Sequence, residues 1–197
     1  MFLPMERTSE QLRSLSFIDE LSGTRNRRGF FLLAERRLDE ARSTPEAQLT
    51  VVLAVVQGLK EANDWHGRAA GTELIRDAAR ALTAAFGPDD VIARLGGGEF
   101  AVLSPSAPDE VRERITATVD GRNQMTTDRP YELALSIGIA NRAVTESLTI
   151  DELIAAADHD LHQHHGATPA GPPPVRTTKP RAKRSASADR AKRSVAA

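Results

Sequence analysis

The segment Val91-Ile92-Ala93-Arg94-Leu95-Gly96-Gly97-Gly98-Glu99-Phe100-Ala101-Val102-Leu103 constrains the fold more than any other part of the chain. Two apolar runs are joined by three glycines and a glutamate. That order specifies a β-hairpin, so the chain must build a sheet with at least one antiparallel pair. Glycine takes positive φ without steric cost. Its missing side chain also leaves room for a phosphate or a metal beside the backbone. Taken alone, the same glycines specify no more than a tight turn.

The hairpin sits in the middle of an alternating pattern. Leu49 to Val56 reads Leu-Thr-Val-Val-Leu-Ala-Val-Val, whose length and β-branching mark a buried central strand. Gln57-Gly58 ends it, and Lys60 to Gly67 form a polar connection with room for a short helix. Ala69 to Phe86 is an amphipathic helix that turns Leu74, Ile75, Ala78, Ala79 and Leu82 to a core. Gly87-Pro88-Asp89-Asp90 stops it. Beyond the hairpin, Pro108 to Asp120 is a helix with proline in its first turn. Leu133 to Ala140 is a strand, and Ile150 to His164 is the last helix. Ahead of all this, Leu12, Leu15 and Phe17 give a short helical pattern over Gln11 to Ile18. Asn26 is a suitable N-cap for a helix from Gly29 to Ala41. The order is β, α, β-hairpin, α, β with helices before and after, an α+β domain.

What the chain lacks narrows its chemistry. It has no cysteine, which excludes disulfides and thiolate metal sites. No run of eighteen apolar residues exists to span a membrane. The N-terminus lacks the basic-then-apolar plan of a signal peptide, so a cytoplasmic location is expected. A formal net charge of −1 conceals an asymmetry. From Ala170 onward, eight Lys and Arg face one Asp, a net +7, which leaves −8 for the preceding 169 residues. Gly171-Pro172-Pro173-Pro174 marks the boundary. A Pro-rich and then basic segment with almost nothing to bury is expected to be disordered. It offers contact to nucleic acid or another anion, or it is simply solvated. Three parts follow: a lead over residues 1–11, a domain over 12–166 and a tail over 167–197. With so short a lead, no sensor domain is expected ahead of the fold.

These features resemble the GGDEF family, the diguanylate cyclases. The family hairpin reads Arg-Tyr-Gly-Gly-Asp/Glu-Glu-Phe, against Arg94-Leu95-Gly96-Gly97-Gly98-Glu99-Phe100 here. The family opening Asp-x-Leu-Thr-Gly-Leu-x-Asn-Arg-Arg is matched at Asp19, Leu21, Gly23, Asn26, Arg27 and Arg28. Ser22 replaces Thr, and Thr24 replaces a Leu that lines the base pocket. Lys60 with Asn63-Asp64, Gly67, Gly71 and Ser136-Ile137-Gly138-Ile139-Ala140 complete the match. It runs from roughly Leu12 to Gly166 and implies a palm-type βαββαβ sheet with surrounding helices.

The resemblance also implies a chemistry. A diguanylate cyclase joins two GTP molecules into cyclic di-GMP across two facing domains. Two Mg²⁺ ions, which take hard oxygen ligands, neutralise the triphosphate and help ionise the attacking hydroxyl. The strand motif Asp-x-Asp-x-Phe-Lys-x-x-Asn-Asp supplies one carboxylate and the hairpin tip another. Aligned on Lys60, Asn63 and Asp64, this chain has Val55 at the first Asp and Gln57 at the second. Gly98 falls on the hairpin's ligand. Glu99 remains, with the carbonyl of Val56, as a remnant of the catalytic set. A one-residue slip would be needed to bring Glu99 to the work of Gly98, and Arg94 and Phe100 align without one.

The nucleotide site is mixed in the same way. Gly58 and Leu59 fall on the turn that cradles phosphates, with Lys60 beside it and Gly96 and Gly97 at the hairpin tip. Asn63 matches the guanine-contacting Asn. Thr72 stands where an Asp reads the other guanine edge, and one hydroxyl cannot accept the two hydrogen bonds a carboxylate does. The closing helix of the family reads Ala-Asp-x-Ala-Leu-Tyr-x-Ala-Lys. Here it reads Ala157-Asp158-His159-Asp160-Leu161-His162-Gln163-His164-His165, with His165 for the phosphate-binding Lys. His159, His162 and His165 are spaced as a metal face would need, or as a solvated helix end would. Product-inhibited members carry Arg-x-x-Asp before the hairpin, and Gly87 takes the place of that Arg while Asp90 is kept.

The expectation is therefore a degenerate GGDEF domain, without a cofactor or a metal site, acting as a regulatory or interaction module in cyclic di-GMP-type signalling. Its partner would be a protein, such as an active GGDEF protein or a second copy, with weak or no binding of GTP. The alternatives are a weak diguanylate cyclase using Mg²⁺, and a protein tethered to nucleic acid or another anion by its tail.

Overall fold

A computed structural model describes residues 16–126 and 129–165. Residues 1–11, the tail over 167–197 and residues 11–15 of the first helical pattern lie outside them. The described remainder of that pattern is not helical: Ile18 forms an isolated bridge with Arg25.

Ten elements follow in order. They are β1 (Arg25–Asn26), α1 (Arg27–Arg42), β2 (Gln48–Val56), α2 (Leu59–His66), α3 (Arg68–Ala85), β3 (Val91–Gly96), β4 (Glu99–Ser104), α4 (Pro108–Met125), β5 (Leu135–Ala143) and α5 (Ile150–His165). The strands form one sheet in the order β1-β3-β4-β2-β5. β1 runs parallel to β3, and the other pairs are antiparallel. From β2 to β5 the chain is the expected βαββαβ core.

β2 reads as an unbroken apolar run because both faces of the sheet are covered. On one face Val51 and Leu53 pack with Phe30, Ala34 and Leu38 of α1 and Ile150, Leu153 and Ala157 of α5. On the other, Val52, Ala54 and Val56 pack with Leu74, Ala78 and Leu82 of α3 and Val111 and Ile115 of α4. Successive residues of a strand alternate between these two layers.

Local signals set the ends. Asn26 caps α1, its side chain accepting from Gly29 N–H at 2.9 Å. The same side chain donates to Ser16 O at 2.8 Å, which ties the incoming chain to the helix. The polar connection after β2 is an eight-residue helix, α2, of which only Ala62 is buried. The last strand begins two residues later than its apolar run and continues through Ala143.

Candidate functional site

The site residues gather where β2 ends, α2 begins and the β3–β4 hairpin turns. Gly96 and Gly97 have φ of 151° and 51°, conformations that side chains resist. Arg94 holds the tip from one side. Its Nε and Nη2 donate to Gly97 O at 2.9 and 2.8 Å, and its Nη1 donates to both carboxylate oxygens of Asp19 at 3.1 Å. Burial works against the charged form of Asp19. Hydrogen bonds from Ser22 and Arg94 outweigh it and hold the carboxyl below its ordinary value. The hairpin tip and the Asp19–Arg28 opening are thus one rigid unit.

The register fixes what the tip can offer. A bulge at Leu95 lies in β3, between the pairs Arg94↔Phe100 and Gly96↔Glu99. β4 has none: its ladder with β2 runs from Thr50↔Ser104 to Val55↔Glu99, and Val56 N–H donates to Gly98 O at 2.9 Å. Glu99 therefore lies opposite Val55 and does not slide into the place of Gly98. A Cβ on Gly98 would meet Val56 Cβ and Leu59 Cδ2 at 3.2 Å, so this position faces the start of α2. Neither Val55 nor Gly98 carries an oxygen on its side chain. Among the described residues no group of three or more His, Asp or Glu could hold a metal ion. The donors at this strand end do not fit the two Mg²⁺ ions that the family's chemistry would bring.

Beside the tip, Gly58 and Leu59 open α2 without a side-chain cap, and Lys60 is exposed. Asn63 lies against Gly71: a Cβ there would be 2.2 Å from Asn63 Oδ1. This close approach sets Asn63 beside half-buried Thr72 in the first turns of α3. Lys60, Asn63 and Thr72 thus come from one helix pair. Thr24 is buried beside Ser22, with the two hydroxyl oxygens 2.9 Å apart. It lines a separate cavity of about 400 Å³ with Arg25, Arg36, Arg37, Thr83 and Asp90, whereas Leu21 packs in the layer that contains Leu59. Asp90 closes the turn before β3, its Oδ2 accepting from Gly87 N–H at 2.7 Å.

The histidines of α5 make contacts along their own helix. His162 Nδ1 lies 2.8 Å from Asp158 O, and His159 Nε2 lies 2.8 Å from Gln163 Nε2. The side chain of His165 lies outside the described residues.

One cluster was not foreseen. Asp77 of α3 is 3% exposed and collects Arg80, Arg122, Arg129 and Tyr131. Arg122 Nη2 donates to its Oδ1 at 2.5 Å, while Arg129 Nη1 and Tyr131 Oη donate to its Oδ2 at 2.6 and 3.2 Å. Burial opposes the charge, and the two arginines overcome it, so the Asp77 carboxyl is held below its usual value. Burial and the adjacent carboxylate push the Tyr131 hydroxyl up. Asn123 continues the link, accepting from Leu133 N–H at 2.8 Å and donating to Leu133 O at 2.9 Å. Ala134 O in turn accepts from Gln57 N–H at 2.9 Å, at the strand end of the site. The signal for this hub was an aspartate on the apolar face of α3, between Leu74 and Ala81.

A mixed five-stranded sheet with helices on both faces and a glycine hairpin beside its central strand defines an α+β palm-type domain. The sequence model of the family described as "Diguanylate cyclase, GGDEF domain" matches residues 16–168, and the chain belongs to that family. It is 40% identical over 104 residues to an uncharacterised protein encoded in the hutH 5′ region of Streptomyces griseus, covering 50% of this chain and 42% of that one. The chain thus spans less than half the length of that relative. The fold is also that of the coiled coil and GGDEF domain of DgcB from Caulobacter crescentus, solved in complex with c-di-GMP. The TM-score is 0.69 at 21% identity, over 83% of this chain and 87% of that one. Diguanylate cyclase SiaD of Pseudomonas aeruginosa, solved in complex with its activator SiaC, gives a TM-score of 0.67 at 22% identity, over 83% of this chain and 63% of that one. The relation is to proteins of cyclic di-GMP signalling. No helix among the described residues is long and apolar enough to cross a membrane.

Proposed function

We propose that this chain is a catalytically inactive GGDEF domain that serves as a regulatory or interaction module in cyclic di-GMP-type signalling in the cytoplasm. The observation that carries this reading is the strand end. Val55 lies opposite Glu99 in an unbroken ladder, and Gly98 faces Val56 and Leu59 without a side chain. One carboxylate and a carbonyl are a poor cage for Mg²⁺, which demands near-ideal octahedral oxygen geometry. Phosphoryl transfer rests almost wholly on positioning and on cancelling charge, so losing the metal ligands removes its main support. The scaffold that positions the hairpin, by contrast, is complete, and a complete scaffold presents a defined surface to a protein partner.

The test is an overnight incubation of the full chain with GTP and Mg²⁺ or Mn²⁺, followed by chromatography. No cyclic di-GMP is expected above a protein-free control. Protein-dependent product overturns the reading. The double substitution V55D/G98E restores both carboxylates and is expected to create Mg²⁺ binding, read by calorimetry, where the wild type gives none at the same concentration.

A further inference from the structure

β5 ends one side of the sheet and pairs with β2 alone among the described strands. Such an edge presents a row of N–H and C=O groups to any chain able to pair with it. The ladder tells which residues present them. Gln57 N–H donates to Ala134 O at 2.9 Å and Val144 N–H to Ala47 O at 2.8 Å, so the even-numbered positions of β5 bond to β2. In an antiparallel ladder the alternate residues turn away from the partner. Leu135, Ile137, Ile139, Asn141 and Ala143 therefore aim their backbone groups at the outer edge.

Charged side chains hold two of these groups at the middle of the strand. Ile139 N–H donates to Asp160 Oδ2 at 2.8 Å. Asn141 O accepts from Arg142 Nη1 at 2.8 Å. Asp160 reaches the edge because α5 lies directly against β5 at Gly138. A Cβ there would be 2.2 Å from Ala157 O and 2.5 Å from Leu161 N, so glycine alone permits this approach. In the family's closing helix the position of Asp160 is an alanine, whose methyl group accepts nothing.

We propose that Asp160, seconded by Arg142, guards the sheet edge against addition of a strand from a second copy of this chain. A strand arriving at Ile139 to Asn141 must displace both hydrogen bonds and take two charged groups out of water, which is costly unless each is paired again. The edge has something to hide. Leu135, Ile137 and Ile139 are only partly buried, so without its guards this edge is apolar as well as unpaired by a strand.

The experiment is light-scattering mass against concentration on the full chain, wild type beside D160A/R142A. The variant is expected to associate as concentration rises, toward about twice the wild-type mass. Hydrogen exchange at the Ile137 and Asn141 amides should slow by about tenfold or more in the associated form. Should the double variant fail to fold, D160A alone, which frees the Ile139 N–H, carries the same expectation. A folded variant with the wild-type mass at every concentration overturns the proposal. Association that leaves the Ile137 and Asn141 amides exchanging at their wild-type rates overturns it as well.

Discussion

Asp77 occupies a helix face that otherwise turns Leu74, Ala78 and Ala81 inward, and besides Arg80, one turn on, its partners come from 45, 52 and 54 residues away. Removing one member of a buried ion pair leaves the other charge without compensation, at a cost of roughly 3–5 kcal/mol. D77A strands Arg129, which is 7% exposed, and should lower stability by about that amount in denaturant titration. Y131F, which removes one neutral donor, should cost about 1 kcal/mol. The sign of the acid response follows from Asp77 and Asp19, whose carboxyls are both held low in the folded state. Each contributes stability in full above the unfolded carboxylate pKa of about 3.9 and loses it as pH falls through the folded value. Melting temperature should therefore drop steeply below about pH 4. The drop should be shallower in D19N, where one of the two groups no longer titrates. At this scale the sequence was legible where identity alone decides: valine and glycine carry no carboxylate in any fold. Asp77 was not legible as a hub because, apart from Arg80 on its own helix, its partners are brought to it only by the fold.

The hairpin behaves as an element because Arg94 binds both its own tip and the Asp19 turn. Arg94 has 14% of its side chain exposed, so its charge-assisted bonds are largely shielded from competing water. R94A removes two donors to Gly97 O and the pairing with Asp19. The expected loss is about 1–3 kcal/mol, concentrated at the tip: amides of Gly96 to Glu99 should exchange faster while those of β2 keep their rates. Equal acceleration throughout the sheet would show that Arg94 supports the whole domain rather than the turn. Element existence was legible in the apolar periods, which is why β2, the hairpin, α3, α4 and α5 lie where the pattern puts them. Their ends were less legible, since caps and packing set them and hydrophobic spacing does not. α2 shows the limit, for an eight-residue helix that buries only Ala62 carries almost no apolar period.

At the scale of the whole molecule, a packed scaffold carries a strand end with no side-chain oxygen at Val55 or Gly98. Both faces of the sheet are packed, and the family match ends at residue 168, close to the onset of the basic tail. Truncation at Ala170 should accordingly leave the melting temperature unchanged, and a fall of several degrees would show that the tail belongs to the fold. The site itself responds to the loss of charge. With Val55 and Gly98 at the positions the family fills with acids, Glu99 remains at the strand end, opposite Val55. A group of close carboxylates resists full ionisation and normally recruits a cation to relieve it; among the described residues no group of three or more His, Asp or Glu could hold a metal ion. Under the proposed function, a nucleotide would rely on Lys60, the backbone at Gly58 and Leu59, and the amide of Asn63, none of which depends on a bound cation. Titration calorimetry of GTP, with excess Mg²⁺ and again with about 5 mM EDTA to remove the hard cation, should give weak binding of similar strength in both. Thr72 in place of an acid should also narrow the difference between GTP and ATP, because a hydroxyl reads the guanine edge less completely than a carboxylate. Tight binding abolished by EDTA would reveal a metal site that the strand end does not account for, and with it the cyclase chemistry would have to be reconsidered.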